Sequence, residues 1–73
     1  MNEEDEYLRI RYREEMEDLR KAISLLISKK QWLEKQDKPS ELKIQLYDQR
    51  IEDLNKAVED VKKKARTDGM IIL

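Results

Sequence analysis

The sequence predicts an all-α fold, an antiparallel two-helix hairpin with coiled-coil-like packing. Three observations predict it: apolar residues recur alternately three and four positions apart in both halves, the two halves mirror each other, and the only proline lies at the mirror point. We name the predicted line of contact between the two helices the seam. Its residues are Tyr12, Met16, Leu19, Ile23, Leu26, Lys30 and Leu33 in the first half, and Ile44, Tyr47, Ile51, Leu54, Val58, Val61 and Ala65 in the second.

The whole chain, residues 1–73, is expected to form a single helical-hairpin domain. Its first helix is predicted over residues 4–36, because the seam repeat runs through this range and acidic residues at its start favour the positive end of the helix dipole. The turn is predicted over residues 37–40, because Pro39 disfavours a helical conformation at Lys38. A turn this short makes the two helices antiparallel neighbours.

The second helix is predicted over residues 40–67. Asp37 or Ser40 can cap its start by accepting a hydrogen bond from a backbone N–H group. Its end is predicted before Gly69, the only glycine of the chain, because glycine readily adopts the left-handed conformation that closes a helix. The remaining residues, 69–73, form an apolar C-terminal tail.

Several apolar residues lie outside the seam, and they fall on one side of the predicted hairpin. With the seam at heptad positions a and d, most of them occupy positions g and c, and in an antiparallel pair the g positions of the two helices face each other. We name this side the apolar flank; its residues are Ala22, Leu25, Trp32, Leu42, Leu46 and Ala57. The opposite flank is polar apart from Ile27. An apolar stripe of this kind needs covering.

Two occupants of the apolar flank are expected from the sequence. One is a second copy of the chain, which would form a homodimer with a four-helix bundle as its core. The other is a different protein that docks on the flank with Trp32 as its anchor, since tryptophan is enriched among the residues that dominate binding energy.

Lys30 is the one charged residue in the seam, where the mirror places it opposite Tyr47. Its alkyl stem can pack on the tyrosine ring while the ammonium group reaches water. Alternatively, a single polar residue in the seam can fix the alignment of the helices or their oligomeric state.

Basic residues and the tail should meet at the open end of the hairpin, opposite the turn. Arginine and lysine side chains there could contact phosphate groups; they are Arg9, Arg11, Arg13, Lys62, Lys63, Lys64 and Arg66. Because acidic residues are interspersed and the net charge is -1, nucleic acid is the alternative partner and not the expected one. The tail residues Met70, Ile71, Ile72 and Leu73 are expected either to fold back onto the first helix or to bind a partner protein.

The composition argues against several classes of function. The chain has no cysteine and no histidine, which removes thiolate chemistry and the usual zinc ligands. It also has no glycine-rich phosphate loop and no nucleophile beside a base. We therefore expect no enzymatic activity, no catalytic residues, no cofactor, no metal and no small-molecule substrate.

The expected function is that of a protein-protein interaction module. No apolar run is long enough to span a bilayer and the acidic N-terminus does not resemble a secretory signal, so no membrane association is expected. The lack of cysteine suits a cytoplasmic location. The sequence favours a small adaptor, or a regulator or inhibitor, that binds a larger protein and forms a homodimer. No motif identifies a family.

Overall fold

The fold is a pair of long α-helices packed against each other. The computed structural model describes residues 3–69, in which α1 spans Glu3–Glu34 and α2 spans Glu41–Thr67. No strand occurs between residues 3 and 69. The predicted all-α hairpin is therefore confirmed. Its shape is elongated, with Cα extents of 56 × 15 × 14 Å.

The first helix ends two residues before the predicted boundary. The backbone N–H groups of Lys35 and Gln36 donate to the carbonyl oxygens of Trp32 and Leu33, each three residues back and each at 3.2 Å. Bonds of this i to i+3 type tighten the last turn of a helix and satisfy carbonyl groups that would otherwise lack partners. The chain therefore leaves the α-helix at Glu34 and enters the turn earlier than the seam repeat alone indicates.

Two residues singled out in the sequence, Ser40 and Gly69, flank the second helix. Ser40 is its N-cap, and the Ser40 hydroxyl accepts a hydrogen bond from the Lys43 backbone N–H at 3.4 Å. At the other end Gly69 has a φ of 76°, and its N–H donates to the Arg66 carbonyl at 2.9 Å. This is one of the bonds of a glycine-terminated helix end.

The seam is the line along which the helices bury their side chains, as predicted. All of its residues are buried or half-buried, but the depth of burial is uneven. Of the described residues, the apolar ones that are buried are Met16, Val58, Val61 and Ala65, and all four lie toward the open end. Near the turn, every seam residue keeps part of its surface exposed.

Two side-chain contacts between the helices fit the register that the mirror predicts. The Tyr12 hydroxyl donates to Asp68 Oδ2, three residues beyond Ala65, the predicted neighbour of Tyr12. Lys30 Nζ lies 2.5 Å from Asp48 Oδ1, one residue beyond the position expected opposite Lys30. The helices are therefore held in this register near both ends of the hairpin.

Candidate functional site

The apolar flank is open to solvent in the hairpin. Leu25 is 56% exposed, Trp32 63%, Leu42 68% and Leu46 62%. Ala22 and Ala57, which lie farther from the turn, are half-buried. Side chains of this size are rarely left this exposed together in a protein that acts alone, so the flank is the candidate site of interaction.

A groove lies on the apolar flank near the turn, and both helices contribute to it. Its volume is about 660 Å³. It is lined by the apolar or aromatic residues Leu26, Trp32, Leu33, Leu46 and Tyr47, and by the basic residues Lys29, Lys43 and Arg50. Because Trp32 of α1 and Leu46 of α2 line the same groove, the structure brings together two large predicted residues of the flank.

Among residues 3–69, every charged residue that lines this groove is basic, a feature that the sequence analysis did not predict. Among the residues that the structure describes, the side chains of Lys29, Lys43 and Arg50 form no ion pair. A signal for them was present, because all three occupy g positions and so share the flank with Trp32. An isolated charge in a helical sequence usually indicates a solvated face, so the pattern alone does not connect these three side chains with the apolar flank.

Acidic residues replace basic ones farther along the same flank. At g and c positions nearer the middle of the hairpin, the charged residues are Glu15, Asp18, Asp53 and Asp60, all exposed. Asp53 Oδ1 accepts a hydrogen bond from Gln49 Nε2 at 3.0 Å, which leaves its second carboxylate oxygen available. The flank is therefore basic around the groove and acidic at its middle, and basic residues, Arg11 and Lys64, return at the open end.

The opposite flank is polar, and it carries two ion pairs of seam-side lysines. Lys30 forms its ion pair with Asp48 there, and Lys62 Nζ lies 3.4 Å from Glu59 Oε1. The hydrogen bond to Asp48 raises the pKa of Lys30 above its usual value, because the pair stabilises the charged ammonium. The Lys30 ammonium thus points out of the seam, as expected, but it meets a carboxylate and not water alone.

The basic cluster lies at the open end but surrounds the hairpin instead of forming one surface. Tyr12 and Asp68 join the start of α1 to the end of α2, so the arginines and lysines nearby share this end. Their heptad positions differ, however, and they point to several sides of the hairpin. Arg9 is half-buried and its Nε finds no hydrogen-bond partner among residues 3–69, whereas Lys62 is paired on the opposite flank.

The tail residues Met70–Leu73 lie outside the described residues, so both predictions for the tail stay predictions. Within residues 3–69, no group of three or more acidic, histidine or cysteine side chains could hold a metal ion. Neither described helix contains an apolar stretch that could cross a membrane.

No protein-family model, curated protein or solved structure matches the chain.

Proposed function

We propose that this chain is a non-enzymatic protein-protein interaction module that self-associates through the apolar flank and acts as a small adaptor or regulator of a larger protein. The observation that carries the proposal is the exposure of four large apolar side chains on a single flank, two of which line the groove of about 660 Å³. Exposed apolar area of this kind is removed from water when another helical surface covers it.

The accessible surface supports self-association. The hairpin exposes 6077 Å², whereas a compact monomer of 8.9 kDa exposes roughly 4,800 Å². A standard protein interface buries about 800 Å² on each partner, so covering one flank would remove more than half of this excess.

The uneven burial of the core also supports self-association through the apolar flank. Small domains bury too little apolar area to be comfortably stable alone, and the buried residues of this hairpin lie toward its open end. Around the groove, Leu26, Leu33 and Tyr47 belong to the seam but remain only half-buried. A helical surface packed over Trp32 and Leu46 would complete their burial.

The apolar flank also supports the proposed regulation of a larger protein, because a different partner can bind the same residues. Trp32 is suited to dominate a protein interface because its large ring buries much area at little cost in rotamer entropy. A partner with a matching apolar helix would compete with self-association for Trp32. The proportion of free hairpin, and thus its binding activity, would then depend on its concentration.

Sedimentation equilibrium at about 10–100 μM, in the dimerisation range typical of modest interfaces, tests self-association. We expect the natural chain to sediment as a dimer, and Trp32→Glu to sediment as a monomer with an unchanged helical circular dichroism spectrum. Ile27→Glu is the matched control, since Ile27 is an exposed apolar residue on the opposite flank, and it should leave the dimer intact. A helical monomer of the natural chain, or a dimer that survives Trp32→Glu, would overturn the proposal.

A further inference from the structure

We infer that the second copy packs on the apolar flank in antiparallel orientation, with a two-fold axis that passes α2 between Ile51 and Glu52. The inference rests on the proposed self-association and adds orientation and register to it. The observation behind it is the order of residues along the flank side of α2.

Along the g and c positions of α2, the order of residues is such that an antiparallel copy of the same helix would be complementary to it in charge and size. From the turn to Asp60 they are Lys43, Leu46, Arg50, Asp53, Ala57 and Asp60, and Lys64 and Thr67 follow beyond the pattern. The first three are basic, large apolar and basic, and the last three are acidic, small apolar and acidic. The pattern changes midway, between Ile51 and Glu52.

An antiparallel copy of α2, placed about that midpoint, matches every member of the pattern. Lys43 lies opposite Asp60 of the second copy and Arg50 opposite Asp53, so each basic residue meets an acidic one. Leu46 lies opposite Ala57, so a large side chain meets a small one and the helices can approach closely. The two-fold symmetry repeats each pairing, as in any isologous interface.

The same two-fold axis also places the flank residues of α1 against compatible residues of α1 in the second copy. Since the seam pairs Leu26 with Ile51, the axis passes α1 beside Leu25, which then meets Leu25 of the second copy. Trp32 falls between Asp18 and Ala22 of the second copy. The alanine leaves room for the indole ring, and the Asp18 carboxylate can accept a bond from the indole N–H, which needs an acceptor once buried.

The other two-fold arrangement, with the turns side by side, is disfavoured by charge. It would gather Lys29, Lys43 and Arg50 of both copies around one groove, and none of these side chains has an ion-pair partner in the described hairpin. Like charges opposed across an interface select against that arrangement. The separation of basic from acidic residues along the flank thus selects the antiparallel dimer.

A single spin label at the turn distinguishes the two arrangements. The chain has no cysteine, so Lys38→Cys gives one labelling site per copy for pulsed electron double resonance. Lys38 lies about a dozen residues from the axis, which places the two labels about 40 Å apart in the antiparallel dimer. Side-by-side turns would place them within about 20 Å, roughly two helix diameters.

The outcomes separate this inference from the proposed function. A distance near 40 Å supports the antiparallel dimer. A short distance overturns the orientation while leaving self-association in place, and a protein without dipolar modulation overturns both.

Charge exchange tests the register independently. Lys43→Glu and Asp60→Lys should each raise the dimer dissociation constant roughly ten-fold, because each change opposes like charges twice in the dimer. The double variant should return to within about three-fold of the natural chain. Lys63→Glu, an exposed position away from the flank, is the matched control and should have little effect. Single variants without effect, or a double variant no better than either single one, would overturn the register.

Discussion

The Tyr12 hydroxyl donates a hydrogen bond to Asp68 Oδ2 across 56 positions of sequence. Asp68 is the C-cap residue of α2, so the contact ties the start of one helix to the end of the other. It also raises the pKa of Tyr12, because the hydrogen bond to the carboxylate holds the phenol in its neutral form.

Tyr12→Phe should lower the thermal midpoint of unfolding, because it removes this bond while keeping the ring that packs against the core cluster. Tyr7→Phe is the matched control, since Tyr7 is exposed and its hydroxyl has no bonded partner among the described residues. Differential scanning calorimetry of the two variants at equal concentration gives the comparison. Equal midpoints for the two variants would show that the bond does not contribute to stability.

Alkaline pH should weaken the hairpin through the same two residues. The pKa of Tyr12 in the folded chain lies above its ordinary value of 10.0, so the unfolded chain loses this proton first. The stabilising contribution is therefore complete below pH 10 and is lost as the pH rises through the raised pKa. Urea unfolding between about pH 8 and pH 12 should show the natural chain losing its advantage over Tyr12→Phe. A constant difference across this range would contradict the assignment.

Lys30 contributes in the same direction, because its pKa also lies above its ordinary value, of 10.5. Asp48→Asn removes the carboxylate that raises it. The variant should therefore lose less stability than the natural chain over the most alkaline part of the titration.

Met16→Ala should be the most costly truncation of an aliphatic side chain in α1. Met16 is 2% exposed and belongs to the core cluster with Val58 and Val61, so truncation leaves a cavity and should cost about 2–5 kcal/mol. Ile10→Ala is the control, because Ile10 is 48% exposed, and it should cost under about 0.5 kcal/mol. Urea unfolding at a fixed concentration measures both. If Met16→Ala fails to fold, Met16→Leu should still fold, with a cost under about 1.5 kcal/mol.

The basic cluster should not behave as a nucleic-acid site. Its side chains point to several sides of the hairpin, and the first turn of α1 adds four acidic residues at the same end. We therefore expect little retention on a phosphate-bearing matrix even at low salt, and no change when Lys62, Lys63 and Lys64 are replaced by glutamine. Strong retention that falls steeply with salt and disappears in the triple variant would favour the alternative function.

Periodicity predicted which side of each helix is buried but not how deeply. Met16 and Ile23 hold the same position in the seam repeat, yet only Met16 of the two is fully buried, because depth depends on the neighbours that cover a residue and not on its own spacing. The end of α1 at Glu34 depends on local backbone bonds that the side-chain pattern does not encode.

The candidate site was predictable in its apolar residues and not in its charges. Trp32 and Leu46 share a flank because of their heptad positions, and the structure places them at one groove. Lys29 and Arg50 occupy equally informative positions. An exposed charge normally indicates only solvation, however. The structure was needed to show that basic side chains line the groove and that no described acidic side chain does.

The core cluster of Met16, Val58 and Val61 lies far from the turn, which has a consequence for cooperativity. A hairpin that closed stepwise from the turn would first order its thinly covered seam residues, and would gain its best packing only after most of both helices had come together. Partly closed chains lose conformational entropy without compensation. The two helices are therefore expected to associate in a single all-or-none step. Amide hydrogens near the turn should nevertheless exchange with lower free energies of opening than those beside the core cluster, because fewer apolar contacts are buried there.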